Sequence, residues 1–398
     1  MQRSIWTYPW DIQDVGLPAF LRDVTERAGL DMVSLATSYH AGRFLQPRSP
    51  RRKAYFPEDG TVYYRPDPML WEGAPIRPLV ARNLEEGGDM LAALCEAREQ
   101  GGPAVSAWTV CLHNTRLGML HPGEVTRTAF GDPNLYALCP SSPAARRYVT
   151  TLVRDITSGY QPDRLELESP NFMGFAHGYH HEKDGVGLLP EEEFLLSVCF
   201  CRHCEVRASR AGVDSVGARR AAQRFIAEAC ERAVPQTQLP DFAERGVEAF
   251  QPWPALYEFL LWRTEPVTSL LAEIAEAADP ATKIVLIDLP EAWAGGVDLR
   301  EAARLLDGLL LCAYDRTPQA VADLARFGRE LVGPDRFMGI GYRLFYPEMA
   351  SAGDLTARVE AACEAGVDGL NFYNYGLVPA ARLDWVREAL EGERTLGP

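Results

Sequence analysis

Two glutamates at alternate positions, Glu166 and Glu168, are the residues of this sequence best suited to chemistry. They belong to the stretch DRLELESP at residues 163–170, which has the pattern of a short buried strand. Because side chains alternate across a strand, both carboxylates face one side and the intervening leucines face the other. Carboxylates in an apolar neighbourhood are costly unless they are paired, protonated or in contact with a wet cleft. The stretch therefore predicts a strand that ends at a polar cleft; the alternative is an exposed edge strand with a polar outer face.

Three cysteines within six residues, Cys199, Cys201 and Cys204, form the spacing C-x-C-x-x-C. Three thiolates this close in sequence can share one Zn²⁺ ion, and a fourth ligand must then complete the tetrahedron. The first choice for that ligand is Cys139, which precedes a proline, and the second choice is His203. Four protein ligands predict a closed, structural zinc site. The alternative is that these are buried, reduced cysteines, which are common small core residues.

The composition disfavours two classes of partner. A net charge of −15 over 398 residues argues against nucleic acid and anionic membranes, because both bind positively charged surfaces. The first residues contain no apolar signal core, and no later run approaches the length that spans a bilayer. We therefore expect a cytoplasmic protein whose nine cysteines are reduced thiols or metal ligands rather than disulfides.

Eight short apolar runs have the pattern of strands, and most of them are followed by an amphipathic helix. Strands that are apolar nearly throughout indicate a parallel sheet covered by helices. Their number favours a (β/α)8 TIM barrel over an open doubly wound sheet, and no Gly-rich nucleotide-binding loop follows any of them. The predicted strands are Ser4–Tyr8, Met32–Thr37, Ala104–Val110, Arg164–Glu168, Lys283–Asp288, Gly308–Tyr314, Arg336–Gly341 and Gly369–Tyr373.

Two long insertions decorate the predicted α/β barrel. Residues 41–85, after the second strand, are rich in Arg, Pro and Tyr, and Glu58–Tyr64 has the pattern of a small hairpin. Residues 169–280, after the fourth strand, are predicted to be mostly helical from Pro190 onward. Without an internal repeat or a linker, residues 1–398 are predicted to form a single decorated domain, and the insertions could form a homo-oligomer interface. Helices are predicted over Ala144–Ser158 after Ser142-Pro143, over Gln319–Leu331 after Thr317-Pro318, and over Leu355–Ala365 after Asp354.

The cysteine pattern resembles that of a known family. Cys139, followed by Pro-Ser-Ser-Pro, together with the C-x-C-x-x-C spacing at 199–204, is similar to the four-cysteine zinc site of the family 42 glycoside hydrolases, bacterial β-galactosidases on a (β/α)8 barrel. This resemblance implies that Glu168, which ends the fourth strand between the first cysteine and the other three, is the acid/base. The sequence departs from the family at two places. Leu167 replaces the Asn that precedes the acid/base, and the seventh strand, ending at Arg343, lacks the family's nucleophilic Glu.

The active site of such a barrel lies at the C-terminal ends of its strands. The residues predicted there combine aromatic faces, which suit the C–H surfaces of sugars, with polar groups that hydrogen-bond to sugar hydroxyls. The loop that leaves the fourth strand carries histidines at 177, 180 and 181 and is predicted to form a lid that contacts the substrate. The predicted substrate-binding residues are Trp10, Tyr39, His40, Arg43, His113, Asn114, Glu166, His180, Tyr314, Tyr342, Arg343, Tyr373 and Asn374.

Glycoside hydrolysis requires two carboxylates, one to protonate the leaving oxygen and one to act as base or nucleophile. Glu168 is the predicted acid, because a second carboxylate and apolar neighbours both raise its pKa. Glu166 lies deeper and is predicted to support it. The second carboxylate is predicted to face Glu168 from across the barrel and to be Asp288 or Asp315, with Glu348 as the third choice. These residues favour a glycoside hydrolase that acts on a small carbohydrate substrate.

Two other functions fit the same sequence. A metal-dependent sugar isomerase, epimerase or lyase would use His113, Glu168, Asp288 and the histidines at 177–181. A barrel that binds carbohydrate without catalysis would account for the missing glutamate on the seventh strand. A second, exchangeable metal required for turnover would favour the isomerase class, whereas a lack of hydrolysis of any aryl glycoside would favour the binding protein.

Overall fold

Eight parallel strands close into a barrel in the computed structural model, which describes residues 1–177 and 181–395. Each strand pairs with the next one in the chain, and β1 pairs with both β2 and β8, which closes the sheet. The predicted (β/α)8 TIM barrel is therefore confirmed. The strands are β1 (Gln2–Thr7), β2 (Met32–Tyr39), β3 (Ala104–Val110), β4 (Arg164–Glu168), β5 (Lys283–Asp288), β6 (Gly308–Cys312), β7 (Phe337–Arg343) and β8 (Gly369–Tyr373).

Helices follow every barrel strand in the described part of the chain. Helix α6 leads into β4, and the last helix of the insertion that follows β4, α12, packs on α6. The helices are α1 (Pro9–Val15), α2 (Leu17–Arg22), α3 (Arg82–Gly87), α4 (Met90–Glu99), α5 (Thr115–Leu120), α6 (Pro143–Tyr160), α7 (Pro190–Ser197), α8 (Arg202–Arg210), α9 (Ser215–Glu231), α10 (Phe242–Arg245), α11 (Pro254–Trp262), α12 (Thr264–Ala277), α13 (Leu299–Leu305), α14 (Pro318–Val332), α15 (Ala352–Glu364) and α16 (Ala381–Thr395), with a π-helical turn at Asp23–Arg27 and 3₁₀ turns at Gly246–Phe250 and Ala292–Gly295.

Two of the three predicted helix starts are confirmed. The Ser142 side chain accepts a hydrogen bond from the Ala145 N–H at the start of α6, and Thr317 does the same for α14. The predicted start at Asp354 is wrong, because α15 begins three residues earlier. Ser351 is the cap there, and its hydroxyl accepts a hydrogen bond from the Asp354 N–H at 3.1 Å. Serine and aspartate both cap helices, so the sequence alone does not show which of these two residues is the cap.

The interior of the barrel is filled by large aromatic side chains. Trp6, Tyr8, Trp10 and Trp108 are buried and contact one another within the barrel. Neighbouring strands must leave room for these rings, and a Cβ atom added at Gly341 would lie 2.7 Å from Trp6. A second and larger core lies between the strands and the surrounding helices. The barrel is therefore packed, and a cavity opens at its C-terminal end.

The insertion after β2 lies against the edge of the barrel mouth. Thr61–Val62 pairs antiparallel with Ser38–Tyr39 at the end of β2 and parallel with Leu79–Val80. The predicted hairpin over Glu58–Tyr64 is therefore wrong, because this segment extends the β2 edge rather than folding on itself. A short antiparallel pair forms instead between Phe44–Leu45 and Ala54–Tyr55. None of the described helices combines the length and apolarity needed to span a membrane.

Candidate active site and cysteine cluster

A cavity of about 740 Å³ opens at the C-terminal end of the barrel. All eight barrel strands contribute to its lining, and the insertion after β4 forms its far wall through α7 and α10. Such a volume is typical of a small-molecule site. The carboxylates that line the cavity are Glu168, Glu193, Asp288 and Glu291.

Glu168 ends β4 and its carboxylate lies in this cavity, as predicted. The indole Nε1 of Trp108 donates a hydrogen bond to Glu168 Oε2 at 2.5 Å, whereas Oε1 has no protein partner among the residues that the structure describes. Burial raises the pKa of Glu168 to about 7; the Trp108 hydrogen bond lowers it, and the negative charge of Glu166 raises it. The pKa of this carboxyl group therefore lies close to neutral pH, and one of its oxygens is left without a protein partner among the described residues.

Glu166 lies one layer deeper on the same face of β4 and is fully buried. Arg164 Nη2 donates to its Oε1 at 2.6 Å, and Trp6 Nε1 and Ser34 Oγ donate to its Oε2 at 2.8 and 2.6 Å. All of these partners donate hydrogen bonds to Glu166, and Arg164 places an opposite charge beside it. It does not line the cavity, so the structure places it beneath Glu168 rather than against a substrate.

Replacement of Glu166 with Gln should destabilise the fold strongly. The substitution leaves the Arg164 guanidinium, only 4% exposed, without its counter-charge, and breaking a buried ion pair costs about 3–5 kcal/mol. Urea unfolding of the variant should show a lower midpoint and a free energy of unfolding reduced by that amount. The matched control is Glu301→Gln, which removes an exposed ion pair to Arg304 and should change stability by less than about 1 kcal/mol. Equal stability of the two variants would contradict this account.

Asp288, at the end of β5, is the second carboxylate in the cavity. Its Oδ1 accepts a hydrogen bond from the Leu289 N–H at 2.7 Å, and its Oδ2 is buried without a hydrogen-bond partner among the described residues. Burial is the main cause that raises the pKa of Asp288 to about 7; the Leu289 hydrogen bond lowers it, and the charges of Glu168 and Glu291 raise it. Strands β4 and β5 are neighbours, so the expectation that Asp288 faces Glu168 from across the barrel is wrong. The two carboxylates come from adjacent strands, which lie about 4.8 Å apart.

The other two predicted acids lie outside the cavity. Asp315 is exposed and lines a separate shallow pocket beside Glu348. Glu348 Oε1 accepts a hydrogen bond from the Asp315 N–H, and its Oε2 accepts one from Arg343 Nε at 2.5 Å. Glu348 is paired with Arg343, and Asp315 lies at the surface. Neither acid is therefore positioned to act beside Glu168. Of the predicted partners, the structure brings only Asp288 into the same cavity.

Four of the predicted substrate-binding residues line the cavity. They are Tyr39, Tyr314, Arg343 and Tyr373. The Tyr8 hydroxyl donates to Tyr39 at 3.0 Å and lies 2.6 Å from the Tyr373 hydroxyl, so a connected set of phenols stands beside Glu168. Such a set offers hydrogen bonds to a polyhydroxylated ligand.

Several other predicted substrate-binding residues have structural contacts instead. Trp10 is fully buried and stacks on Tyr8 at 4.5 Å. Asn114 caps α5 through its Oδ1 and donates to the Gly60 carbonyl. Tyr342 lies in the outer core, where its hydroxyl donates to the Arg358 carbonyl at 2.8 Å. Asn374 is buried and accepts from Gly376 N–H, and Arg43 is exposed beside a different surface pocket.

Three histidines stack at the edge of the cavity next to Tyr39. The His40 and His113 rings lie 4.0 Å apart, and His177 approaches His113 edge-on at 4.5 Å. Burial is the main cause that lowers the pKa of His113 to about 2 and that of His40 to about 4, so these two rings are neutral at physiological pH. Of the three, only His177 lines the cavity. The predicted contact residue His180 lies outside the described residues.

The cavity also contains residues that sequence reasoning missed. Trp6 and Trp108 form its floor and hold the two strand-4 glutamates, while Phe194, Phe242 and Trp293 form its far wall. Trp6 and Trp108 lie within β1 and β3. The alternation of side chains along a strand, which was applied to β4, also predicts that these two tryptophans point into the barrel. The far wall comes from three separate segments, and no local pattern in the sequence brings them together.

The four predicted cysteine ligands converge at one buried point. The Sγ atoms of Cys139, Cys199, Cys201 and Cys204 all lie within 4.8 Å of one another, with Cys139 Sγ 3.9, 3.5 and 3.5 Å from the other three. Sulfurs bound tetrahedrally to one ion at about 2.3 Å would be roughly 3.8 Å apart. The second choice, His203, pairs with Glu124 instead, at 3.0 Å.

Backbone groups around the cluster are arranged to stabilise thiolates. The N–H groups of Arg127 and Cys201 donate to Cys199 Sγ at 3.3 and 3.4 Å, and that of Ser141 donates to Cys139 Sγ at 3.4 Å. Burial and the neighbouring thiols raise the pKa of Cys139 well above its usual range, so a cation is needed to keep it ionised. The four sulfurs, their mutual distances and the backbone N–H groups that donate to them fit a tetrahedral metal ion. In the described part of the chain, no other group of His, Cys, Asp or Glu residues forms such a site.

Comparison with solved structures shows the same architecture in glycoside hydrolases. The catalytic domain of β-amylase from Paenibacillus polymyxa is 12% identical, with a TM-score of 0.54 and coverage of 99% of this chain and 97% of the other. The Group IV chitinase of Ostrinia furnacalis is 10% identical, with a TM-score of 0.48 and coverage of 98% and 99%. At such identities the likeness shows the fold alone. No protein-family model matches the sequence, a comparison with curated proteins finds no relative, and membership of family 42 is not shown.

Proposed function

We propose that this protein is a glycoside hydrolase with Glu168 as general acid and Asp288 as the second carboxylate. The observation that carries the proposal is that these two acids share one cavity at the C-terminal end of the barrel and that both have pKa values near 7. Two carboxylates in one polar and aromatic cavity are what glycoside hydrolysis requires. The β-amylase that shares the fold belongs to the same class of enzyme, which supports the class and leaves the substrate open.

Glu168 would protonate the leaving oxygen. Because the Trp108 indole can only donate, Glu168 Oε2 must accept that hydrogen bond. The carbonyl oxygen of a neutral acid is the better acceptor, so the proton would be on Oε1, which has no protein partner among the described residues. The fixed charge of Glu166 below it favours the protonated form. Glu166 and Trp108 thus position the proton and keep it available near neutral pH.

Asp288 would act as the base or nucleophile. Its Oδ1 is held by the Leu289 N–H, which stabilises the ionised form, and its Oδ2 is left without a protein partner. A buried carboxylate oxygen that lacks a protein donor is available to a water molecule or to an anomeric carbon. The phenols of Tyr39, Tyr314 and Tyr373 would hydrogen-bond to the sugar hydroxyls.

We also propose that the four-cysteine cluster holds a structural zinc ion, in the manner of the family 42 site that it resembles. Four buried sulfurs leave no open coordination position, so the metal would stabilise the fold and take no part in the reaction. It would connect the segment before α6 with the start of α8, and so tie the insertion to the barrel wall.

The activity should depend on pH as a bell-shaped curve centred near pH 7. Glu168 must be protonated, so activity is lost as the pH rises above its pKa; Asp288 must be ionised, so activity is lost as the pH falls below its pKa. Because the two acids interact, the two limbs report the pair and should fall on either side of 7. The measurement is kcat/KM between pH 4 and 10 on a panel of aryl α- and β-glycosides.

The variant Trp108→Phe tests whether the ionisation of Glu168 causes the alkaline limb. It removes the hydrogen bond that lowers the pKa of Glu168, so the alkaline limb should move to higher pH while the acidic limb changes less. Glu301→Gln, on the outer surface, should leave both limbs in place. Failure of the wild-type protein to hydrolyse any member of the panel, or an alkaline limb that does not move in Trp108→Phe, would count against the proposal.

A further inference from the structure

The cavity has two chemically different ends. The end over the barrel axis contains Glu168 and the phenols of Tyr39, Tyr314 and Tyr373. The end under the insertion is lined mainly by hydrocarbon, and it extends away from the axis between β5 and the helices α7 and α10. One ligand that fills the cavity must therefore be polar at one end and apolar at the other.

Three aromatic side chains form the apolar end. The ring centroids of Phe194 and Trp293 lie 5.3 Å apart, those of Phe194 and Phe242 5.6 Å, and those of Phe242 and Trp293 5.8 Å. We call these three residues the aromatic wall. Their rings are tilted or edge-on to one another, an arrangement that gives a firm apolar surface. The remaining apolar lining at this end consists of Phe172, Met173, Pro190, Ile287, Leu289, Ala292 and Ala294.

A buried arginine, Arg263, packs against Phe194 of the aromatic wall. The guanidinium of Arg263 lies 4.7 Å from the Phe172 ring centroid and 5.5 Å from that of Phe194, and its Nη1 donates to the Ala294 carbonyl at 2.8 Å. Arg263 is only 2% exposed. Arg263 thus supports Phe194 from one side, while Phe242 and Trp293 pack against Phe194 and against each other.

Polar groups are few at the apolar end. Ser197 Oγ is already used, since it donates to the Glu193 carbonyl and accepts from the Phe175 N–H. Asn171, Glu193 and Glu291 are the other polar residues in this part of the lining, and Glu291 is paired with Arg316 at 3.3 Å. A second sugar ring would carry several hydroxyls, and burying them against hydrocarbon without partners is unfavourable. The apolar end therefore suits a hydrocarbon group better than another sugar.

We propose that the aromatic wall is an aglycone site and that the substrates are glycosides of apolar alcohols or phenols. This inference rests on the proposed function, because it places the sugar at Glu168 and the leaving group against the aromatic wall. The glycosidic oxygen then lies between the two ends of the cavity, next to Glu168 Oε1.

The first experiment compares alkyl glycosides whose leaving alcohols have similar acidity but different apolar size, such as methyl and cyclohexylmethyl glycosides of common pyranoses. Similar acidity removes the chemical advantage of an activated leaving group. We expect kcat/KM to be roughly ten- to a hundredfold higher for the larger aglycone, because that is the gain expected when one apolar ring is buried. In Trp293→Ala that preference should fall about tenfold, while Trp293→Phe should keep most of it.

The control variant is Phe130→Ala, which removes an exposed aromatic ring outside the cavity and should leave the preference unchanged. A readout without turnover uses non-hydrolysable phenyl and methyl thioglycosides as probes, with binding followed by calorimetry. The phenyl compound should bind about tenfold more tightly, and Trp293→Ala should remove the difference. If a variant does not fold, as judged by its melting curve, the wild-type comparison of the two thioglycosides still decides the question.

The outcomes separate this inference from the proposed function. Hydrolysis of methyl and cyclohexylmethyl glycosides at equal kcat/KM, or equal binding of the two thioglycosides, would overturn the aglycone site and leave the hydrolase proposal standing. Hydrolysis of no glycoside at all would overturn the proposed function itself and the inference with it. A preference that survives in Trp293→Ala and in Phe242→Ala would show that another surface selects the aglycone.

Discussion

Replacement of Glu168 with Gln should lower kcat/KM for alkyl glycosides by about 10²–10⁴-fold, which is the contribution expected from a general acid. The amide cannot supply a proton, while its size and its hydrogen bond from Trp108 are retained. Glycosides of acidic phenols need little protonation of the leaving oxygen and should lose much less. The loss should therefore increase with the pKa of the leaving group, and a plot of log kcat/KM against that pKa should be steeper for the variant.

The same variant tests the pH assignment. Without the acid, the alkaline limb near pH 7 should disappear for substrates with good leaving groups, while the acidic limb from Asp288 remains. Glu301→Gln makes the same chemical change on the surface and should reproduce the wild-type profile. If Glu168→Gln retains full activity on alkyl glycosides, Glu168 is not the acid, and Glu193 would be the next carboxylate in the cavity to examine.

Replacement of Cys139 with Ser should release the metal and lower the melting temperature by at least about 10 °C. Structural zinc sites contribute about 10–16 kcal/mol in small domains, a value comparable to the whole stability of a typical fold. The serine leaves three sulfurs within the buried cluster without the fourth ligand that closes the tetrahedron. Metal analysis of the purified protein should give one zinc per chain in the wild type and far less in the variant.

The matched control for the metal site is Cys95→Ser, because Cys95 is also buried and unpaired but lies on α4, outside the cluster. It should retain the full zinc content and should melt close to the wild type. Mild chelation should leave the activity of the wild type intact. A wild-type protein without zinc, or one that needs a second, exchangeable metal for turnover, would contradict the structural assignment or favour the isomerase class.

The fold could be predicted from the sequence because its signals are local. Runs such as Ala104–Val110 and Lys283–Asp288 are apolar almost throughout, and their predicted bounds match the strands in the structure. The cysteine cluster could also be predicted, because three of its members lie within six residues and Cys139 precedes a helix start. The predicted hairpin at 58–64 failed because that segment pairs with β2, a contact that depends on the closed barrel and not on its own turn.

The candidate site was predicted only in part. Position at the end of a strand found Glu168 and Asp288, whose role as the acid pair remains a prediction, but the same rule also selected Asp315 and Tyr342. The rule does not say which way a side chain points, either beyond the end of a strand, as at Asp315, or within it, as at Tyr342 in β7. Asp315 turns to the surface, and Tyr342 faces the outer core. The aromatic wall could not be predicted from the sequence, because its rings come from positions 194, 242 and 293 and meet only in the folded chain.

The insertion that carries most of the aromatic wall leaves the barrel after β4 and returns at β5, two strands that are hydrogen-bonded neighbours. Both of its attachment points therefore lie side by side, while its last helix, α12, packs on α6 as part of the barrel's outer layer. If the aromatic wall is the aglycone site, exchange of the segment before α12, with Cys139 as the partner for the transplanted cysteines, should change which leaving groups the barrel accepts. The two acids, which stand on the strands just outside the exchanged segment, would be inherited unchanged.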